Sequence, residues 1–225
     1  MIDLLKTLNS VLKLDPNNAQ VWITRATILQ VQGKYAQALK SCEHLYALAP
    51  SLITLTCISN VCNLNGEALK SYQDLTQGYQ QAGYKTPAIQ VWVLTLLAKM
   101  AVRLGDMAAA EHIFQQAINI EKPDSYLLGA YADFLLDQHL PQHVIKLLKD
   151  KTKNDALLLR YAEALKNAQS DEAHLQIQSL QQRFAAAMLR GDTVHQREQS
   201  RFELRLMHNP VKALEIAKQN WLVQK

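Results

Sequence analysis

An all-α fold, a linear array of antiparallel helix pairs, is what this sequence predicts, and three observations carry it. Glycine (7) and proline (6) are scarce among 225 residues, too few for the many turns of an all-β chain. Good helix formers such as Ala, Leu, Gln and Lys dominate instead. Helical apolar periods are also broken at near-regular markers, Gly33, Gly66, Gly105, Gln138, Gln169 and His208, spaced 33, 39, 33, 31 and 39 residues apart. An internal period of that size marks stacked helix–turn–helix units.

The elements follow in order. Residues 2–16, IDLLKTLNSVLKLDP, read as a lone helix, half a repeat. Its Leu4, Leu8, Val11 and Pro16 stand where Ala38, Cys42, Leu45 and Pro50 stand in the next unit. That unit, 19–50, has a helical period, a break at Gln32-Gly33-Lys34, a second helix and a proline stop. Ala26 and Ala38 are small where two helix axes must approach to about 8–10 Å. The unit 51–87 turns at Gly66, and QGYQQAGYKTP (77–87) reads as an extended second helix. In 91–123 the parts of the first unit recur at the same spacings, as Ala98, Gly105, Ala110, Phe114 and Ala117. The unit 124–153 turns at Gln138-His139, and Pro141 opens its second helix, where a missing N–H is harmless. The unit 155–191 turns near Gln169 and also carries an extended second helix, reaching into 181–193. The last, 193–225, pairs DTVHQREQSRFELRLMH with PVKALEIAKQNWLV. Residues 1–225 thus read as a single repeat domain of about five repeats plus a leading half repeat. It starts halfway through a repeat and stops without a polar capping helix, so it reads as a fragment of a longer protein.

Composition narrows the function classes. Residues 1–112 carry 9 basic and 7 acidic groups and residues 113–225 carry 15 and 13, so each half is only +2. With no basic face evident, nucleic acid is not expected as a partner. No apolar run approaches the roughly 18 residues of a membrane span, and no signal peptide opens the chain. Cys42, Cys57 and Cys62, an odd set without CxxC spacing, read as small buried hydrophobes rather than a zinc site or a disulfide framework.

The most densely charged stretch, RGDTVHQREQSRFELRLMHNP (190–210), falls on the first helix of the last unit. Gly191 reads as the C-cap glycine of the helix before it, and Asp192 or Thr193 as the N-cap of the one that follows. The tripeptide RGD therefore needs no adhesion role. His195, Glu198, Arg201 and Arg205 lie near one face at spacings of three and four, which suits intrahelical ion pairs on a solvated surface. No metal site is expected: His139 and His143 are separated by Pro141, which puts His139 in the turn. Nor is catalysis, since no nucleophile–base pair, phosphate loop or paired-carboxylate motif is present. No cofactor is called for.

The units resemble the tetratricopeptide repeat, a helix–turn–helix of about 34 residues with the pattern W-x2-L-G-x2-Y…A-x3-F…P. Trp22, Arg25-Ala26, Leu29, Ala38, Cys42 and Pro50 match in the first copy. Leu94, Leu97-Ala98, Ala101, Ala110 and Phe114 match in the second. The resemblance implies a right-handed superhelical array, an α-solenoid, whose first helices line a concave groove that binds a peptide or partner segment. Carried over position by position, that groove would be lined by Gln20, Thr24 and Thr27, by Asn60 and Asn63, by Trp92, Lys99 and Arg103, by Arg160 and Glu163, and by His195 and Glu198. Family members that clamp a peptide carboxylate use lysine, asparagine and arginine on consecutive first helices. Here Asn60 fits, but Thr56, Trp92 and Leu96 hold the basic places, so a chaperone-tail clamp is rejected.

The resulting expectation is a non-catalytic protein-interaction scaffold, the alternative being an accessory region of a larger enzyme. Self-association through the uncapped ends, near Leu4–Val11 and Trp221, is a further option. Localisation stays open between the cytoplasm and the periplasm, because bacterial proteins of this kind are often exported and a signal could lie upstream.

Overall fold

The computed structural model describes residues 4–120 and 123–224. Among these are thirteen helices and no strand, and the helices group into two compact units. The first holds α1 (Leu4–Leu14), α2 (Ala19–Val31), α3 (Tyr35–Leu48), α4 (Leu52–Leu64), α5 (Ala68–Gln81), α6 (Pro87–Arg103) and α7 (Met107–Ile118). The second holds α8 (Ser125–Asp137), α9 (Pro141–Leu148), α10 (Asp155–Asn167), α11 (Ala173–Leu189), α12 (Gln196–Arg205) and α13 (Pro210–Gln224).

Helix starts follow side-chain capping chemistry. In the first unit, Asn18, Thr86 and Asp106 each accept a hydrogen bond from the backbone N–H three residues on. Ser51 and Thr54 cap α4 reciprocally. Asp124 and Asn154 do the same work for α8 and α10. Each such cap satisfies an N–H the helix cannot, for about 1 kcal/mol. Stops come from left-handed residues. Gly33, Gly66 and Gly105 have φ of 71°, 103° and 79°, while His139, Gln169 and His208 reach 57°, 54° and 53° without being glycine. Every marker read from the sequence lies at or beside one of these turns.

The small residues sit where close helix crossing needs them. Ala26, Ala38, Ala98 and Ala110 are all buried, α2 against α3 and α6 against α7. In the first unit α4 packs on α2, α3, α5 and α6, with Leu29 and Val61 in one core cluster with Ala26 and Ala38. Arg25, where the repeat pattern has leucine, bridges neighbours instead, donating to Asn9 Oδ1 (3.1 Å) and Ser41 Oγ (2.5 Å). In the second unit α10 packs on α8, α9, α11 and α12. Its Leu158, Leu159 and Ala162 are fully buried.

Three expectations are corrected. Cys42 and Cys57 are not separate buried thiols: they form a disulfide, with Cα atoms 5.5 Å apart. Packing α3 on α4 brings the two sulfurs together although 15 residues separate them, a distance that CxxC spacing rules do not register. Such a closure contributes about 3 kcal/mol through the restricted unfolded chain. Second, α5 does not extend through the whole of 77–87. The helix ends at Gln81, and the next begins at Pro87 behind the Thr86 cap, so α6 rather than α5 is the lengthened helix. Proline at N1 favours that start. Third, α12 starts at Gln196 with His195 as its cap residue. Asp192 Oδ1 instead accepts from Val194 N–H (2.8 Å), making a tight turn before the helix. Gly191 (φ 69°) does end α11.

Candidate partner-binding groove

In the second unit the first helices of three successive pairs, α8, α10 and α12, stand side by side with α10 between the others. A charge network ties them together. Arg160 of α10 donates to both carboxylate oxygens of Asp133 on α8, at 2.9 and 2.6 Å, and to the carbonyls of Gly129 (3.1 Å) and Ala156 (2.7 Å). Arg201 of α12 donates twice to Glu163 of α10, at 2.7 and 2.8 Å, and once to Asp133 at 2.6 Å. Two cations and two carboxylates therefore compensate one another across three helices. Burial alone would lower the Arg201 guanidinium, but its bonds to Glu163 and the charges of Asp133 and Glu163 outweigh burial and raise it above the arginine range. It stays charged at any working pH. The face of α12 is thus not the self-paired, solvated stripe its spacing suggested. Arg201 reaches across to other helices instead of along its own.

Beyond this network a polar cavity of about 640 Å3 opens at the C-terminal ends of the same three helices. Glu163 and Arg201 form one wall; Asp137, His139, Lys166, Asn167, Arg205 and His208 contribute to the others. Lys166 is held in place, its Nζ donating to the Leu206 carbonyl (2.8 Å) and lying 2.8 Å from His208 Nε2. Arg205 is exposed. A smaller, apolar cleft of about 330 Å3 lies elsewhere in the unit. Phe184 and Phe202, which meet edge to face at 5.4 Å, help to line it, with Met188 and Met207.

The residues singled out in the sequence divide accordingly. Glu163 lines the cavity and is itself buried, and Arg160 is drawn into the network behind it. His195 is half-buried at the start of α12, its Nε2 4.0 Å from Asp192 Oδ2; Glu198 is half-buried in the first turn. In the first unit α4 likewise packs between α2 and α6. Thr24 and Thr27 hydroxyls donate back to the carbonyls of Gln20 and Ile23 on their own helix. Asn60 Nδ2 donates to Gln30 Oε1 (3.2 Å). Asn63 is buried, and its amide has no partner among the described residues. On α6, Trp92 and Lys99 are half-buried and Arg103 is exposed in the last turn. Thr56 and Leu96, at clamp positions, are buried. Asp133, Lys166 and Arg205 were not singled out as groove residues. Asp133 left a signal as an acid in the middle of the apolar helix SYLLGAYADFLLD, but its partners lie 27 and 68 residues away.

Among the described residues no group of three His, Cys, Asp or Glu side chains could hold a metal ion, and no helix is long and apolar enough to cross a membrane.

Comparison with known proteins gives a consistent fold. Models of the tetratricopeptide repeat match residues 7–40 and 93–124. The second match begins within α6 and covers α7; the first begins within α1 and ends within α3. A tetratricopeptide repeat protein from Parabacteroides merdae superposes with a TM-score of 0.55 at 13% identity, over 96% of this chain and 84% of that one. A chain of the APC/C hetero-tetramer Cut9–Hcn1 superposes with a TM-score of 0.55 at 14% identity, over 100% of this chain and 43% of that one. Likeness at such identities shows the fold, an all-α helical-repeat solenoid. No protein of curated function matches the sequence.

Proposed function

Because the chain is a tetratricopeptide repeat protein, a fold that generally serves protein interaction without catalysis, we propose that it is a non-catalytic scaffold holding a peptide or partner segment along its first helices. One observation carries this reading: the polar cavity shared by α8, α10 and α12, whose wall is fixed by the Arg201–Glu163–Asp133–Arg160 network. A wall whose charges already satisfy one another need not rearrange when a ligand arrives, and preorganisation of this kind lowers the cost of ordering a flexible segment. Lys166, Asn167 and Arg205 supply donors at the open side, while Arg160 and Glu163 act by holding the wall. On the corresponding face of the first unit, Asn60, Trp92, Lys99 and Arg103 would meet the partner, with Asn63 buried behind them, and in the last pair His195 and Glu198.

The test is affinity capture from source-cell lysate by three proteins: the wild type, Lys99→Glu/Arg103→Glu, and Asn167→Trp/Arg205→Glu. Circular dichroism confirms that each is folded. A partner held by the wild type and lost by either variant supports the groove. Retention of the same partners by all three removes these residues from the site.

A further inference from the structure

We infer that this chain is oxidised as it folds and works in a compartment where disulfides persist, with Cys42–Cys57 as a constitutive cross-link between consecutive repeats. The bond joins α3, the second helix of one pair, to α4, the first helix of the next. The 5.5 Å between the Cα atoms is in the middle of the span that a disulfide bridges without moving the backbone. Ordinary repeat packing therefore delivers the two sulfurs to bonding distance.

Burial argues for a structural bond over a labile one. Cys42 is 0% exposed and Cys57 7%, inside the cluster formed by Ala26, Leu29, Ala38 and Val61. A reducing thiolate must reach a sulfur to attack it, so regulatory disulfides are exposed and structural ones are shielded. The third cysteine marks the pairing as specific. Cys62 follows Cys57 by five residues on α4, which turns it about 140° around the helix. It is free and half-buried. Burial, with the charge of Glu67 adding to it, pushes its thiol above the ordinary cysteine value, so little thiolate is present at neutral pH to exchange with the bond. A reducing cytosol keeps such thiols as thiols, whereas exported proteins keep bonds of this kind.

The chemistry balances with a thiol–disulfide oxidoreductase as oxidant. A thiolate of Cys42 or Cys57 attacks the oxidant's disulfide and forms a mixed disulfide. The other cysteine then displaces the oxidant, which leaves as a dithiol carrying the two electrons and two protons.

The deciding experiment reads the thiols of the full chain as its own cells make it. Cells are quenched in acid, and the protein is denatured and alkylated with N-ethylmaleimide before and after reduction, then weighed intact. One adduct before reduction and three after is the expected result, with a chymotryptic cross-link joining the peptide of Cys42 to the one that holds Cys57, whose fragment ions place the N-ethylmaleimide on Cys62. Three adducts before reduction, or a cross-link that uses Cys62, overturns the inference. Thermal melting gives a second readout. Reductant should lower the wild-type melting temperature by about 5–10 °C and leave Cys42→Ser/Cys57→Ser unchanged. An equal response in both proteins overturns the structural role.

Discussion

The two units build the same helix pair by different means. In the first, the turn inside each pair is a glycine at positive φ, the first helices α2 and α4 meet through the amides of Gln30 and Asn60, and one disulfide crosses a repeat boundary. In the second, the equivalent turns are His139, Gln169 and His208, residues that adopt the left-handed region at a cost of about 1–2 kcal/mol each. Its first helices are joined by four charges instead. The difference shows that a repeat constrains the geometry of a position more than its chemistry. At the α2–α3 and α6–α7 crossings of the first unit the residues are small both times, Ala26 with Ala38 and Ala98 with Ala110.

Substitutions can break or sharpen that comparison. The largest effect is expected from Arg201→Met, which strands Glu163 and half of Asp133 without their cation and should cost about 3 kcal/mol in chemical denaturation. Amide-exchange protection should fall first in α8, α10 and α12; uniform loss over both units would break the contrast. Ala98→Leu overfills the α6–α7 crossing and should cost about 1–3 kcal/mol. An unchanged melting temperature would show that the crossing tolerates bulk and that the small-residue rule fails here. Gly105→Ala forces a side chain into positive φ, for about 1–2 kcal/mol of destabilisation. Smallest and opposite in sign, Gln169→Gly should stabilise by about 0.5–1 kcal/mol, since relief of the left-handed penalty exceeds the added chain entropy. If Gln169→Gly destabilises, the non-glycine turns of the second unit are supported by contacts beyond their backbone angle.

Much of the fold was legible because it rests on local rules. Scarce glycine, a helical apolar period and alanines at fixed offsets reveal the helix pairs, and Pro141 marks the start of α9. The end of α5 was misread because Gly83 and Pro87 were absorbed into a periodic run, although Thr86-Pro87 is a capping signature. The site was less legible. Glu163 was placed by register, but its real partner, Arg201, is 38 residues away, and its spacing on α12 offered a nearer pairing with Glu198. The Cys42–Cys57 bond was missed for the same reason: it depends on which helices stack, and spacing along the chain carries no record of that.

That bond also changes what the chain can do under load. Repeat arrays yield to tension one unit at a time, each released segment lengthening the chain by roughly 3.5 Å per residue. With Cys42 and Cys57 joined, the residues between them form a closed loop off the line of force. A fully stretched oxidised chain is therefore shorter than the reduced one by about 45 Å. In a single-molecule pulling trace, that missing length is a direct count of the molecules carrying the bond, and it reappears when reductant is added.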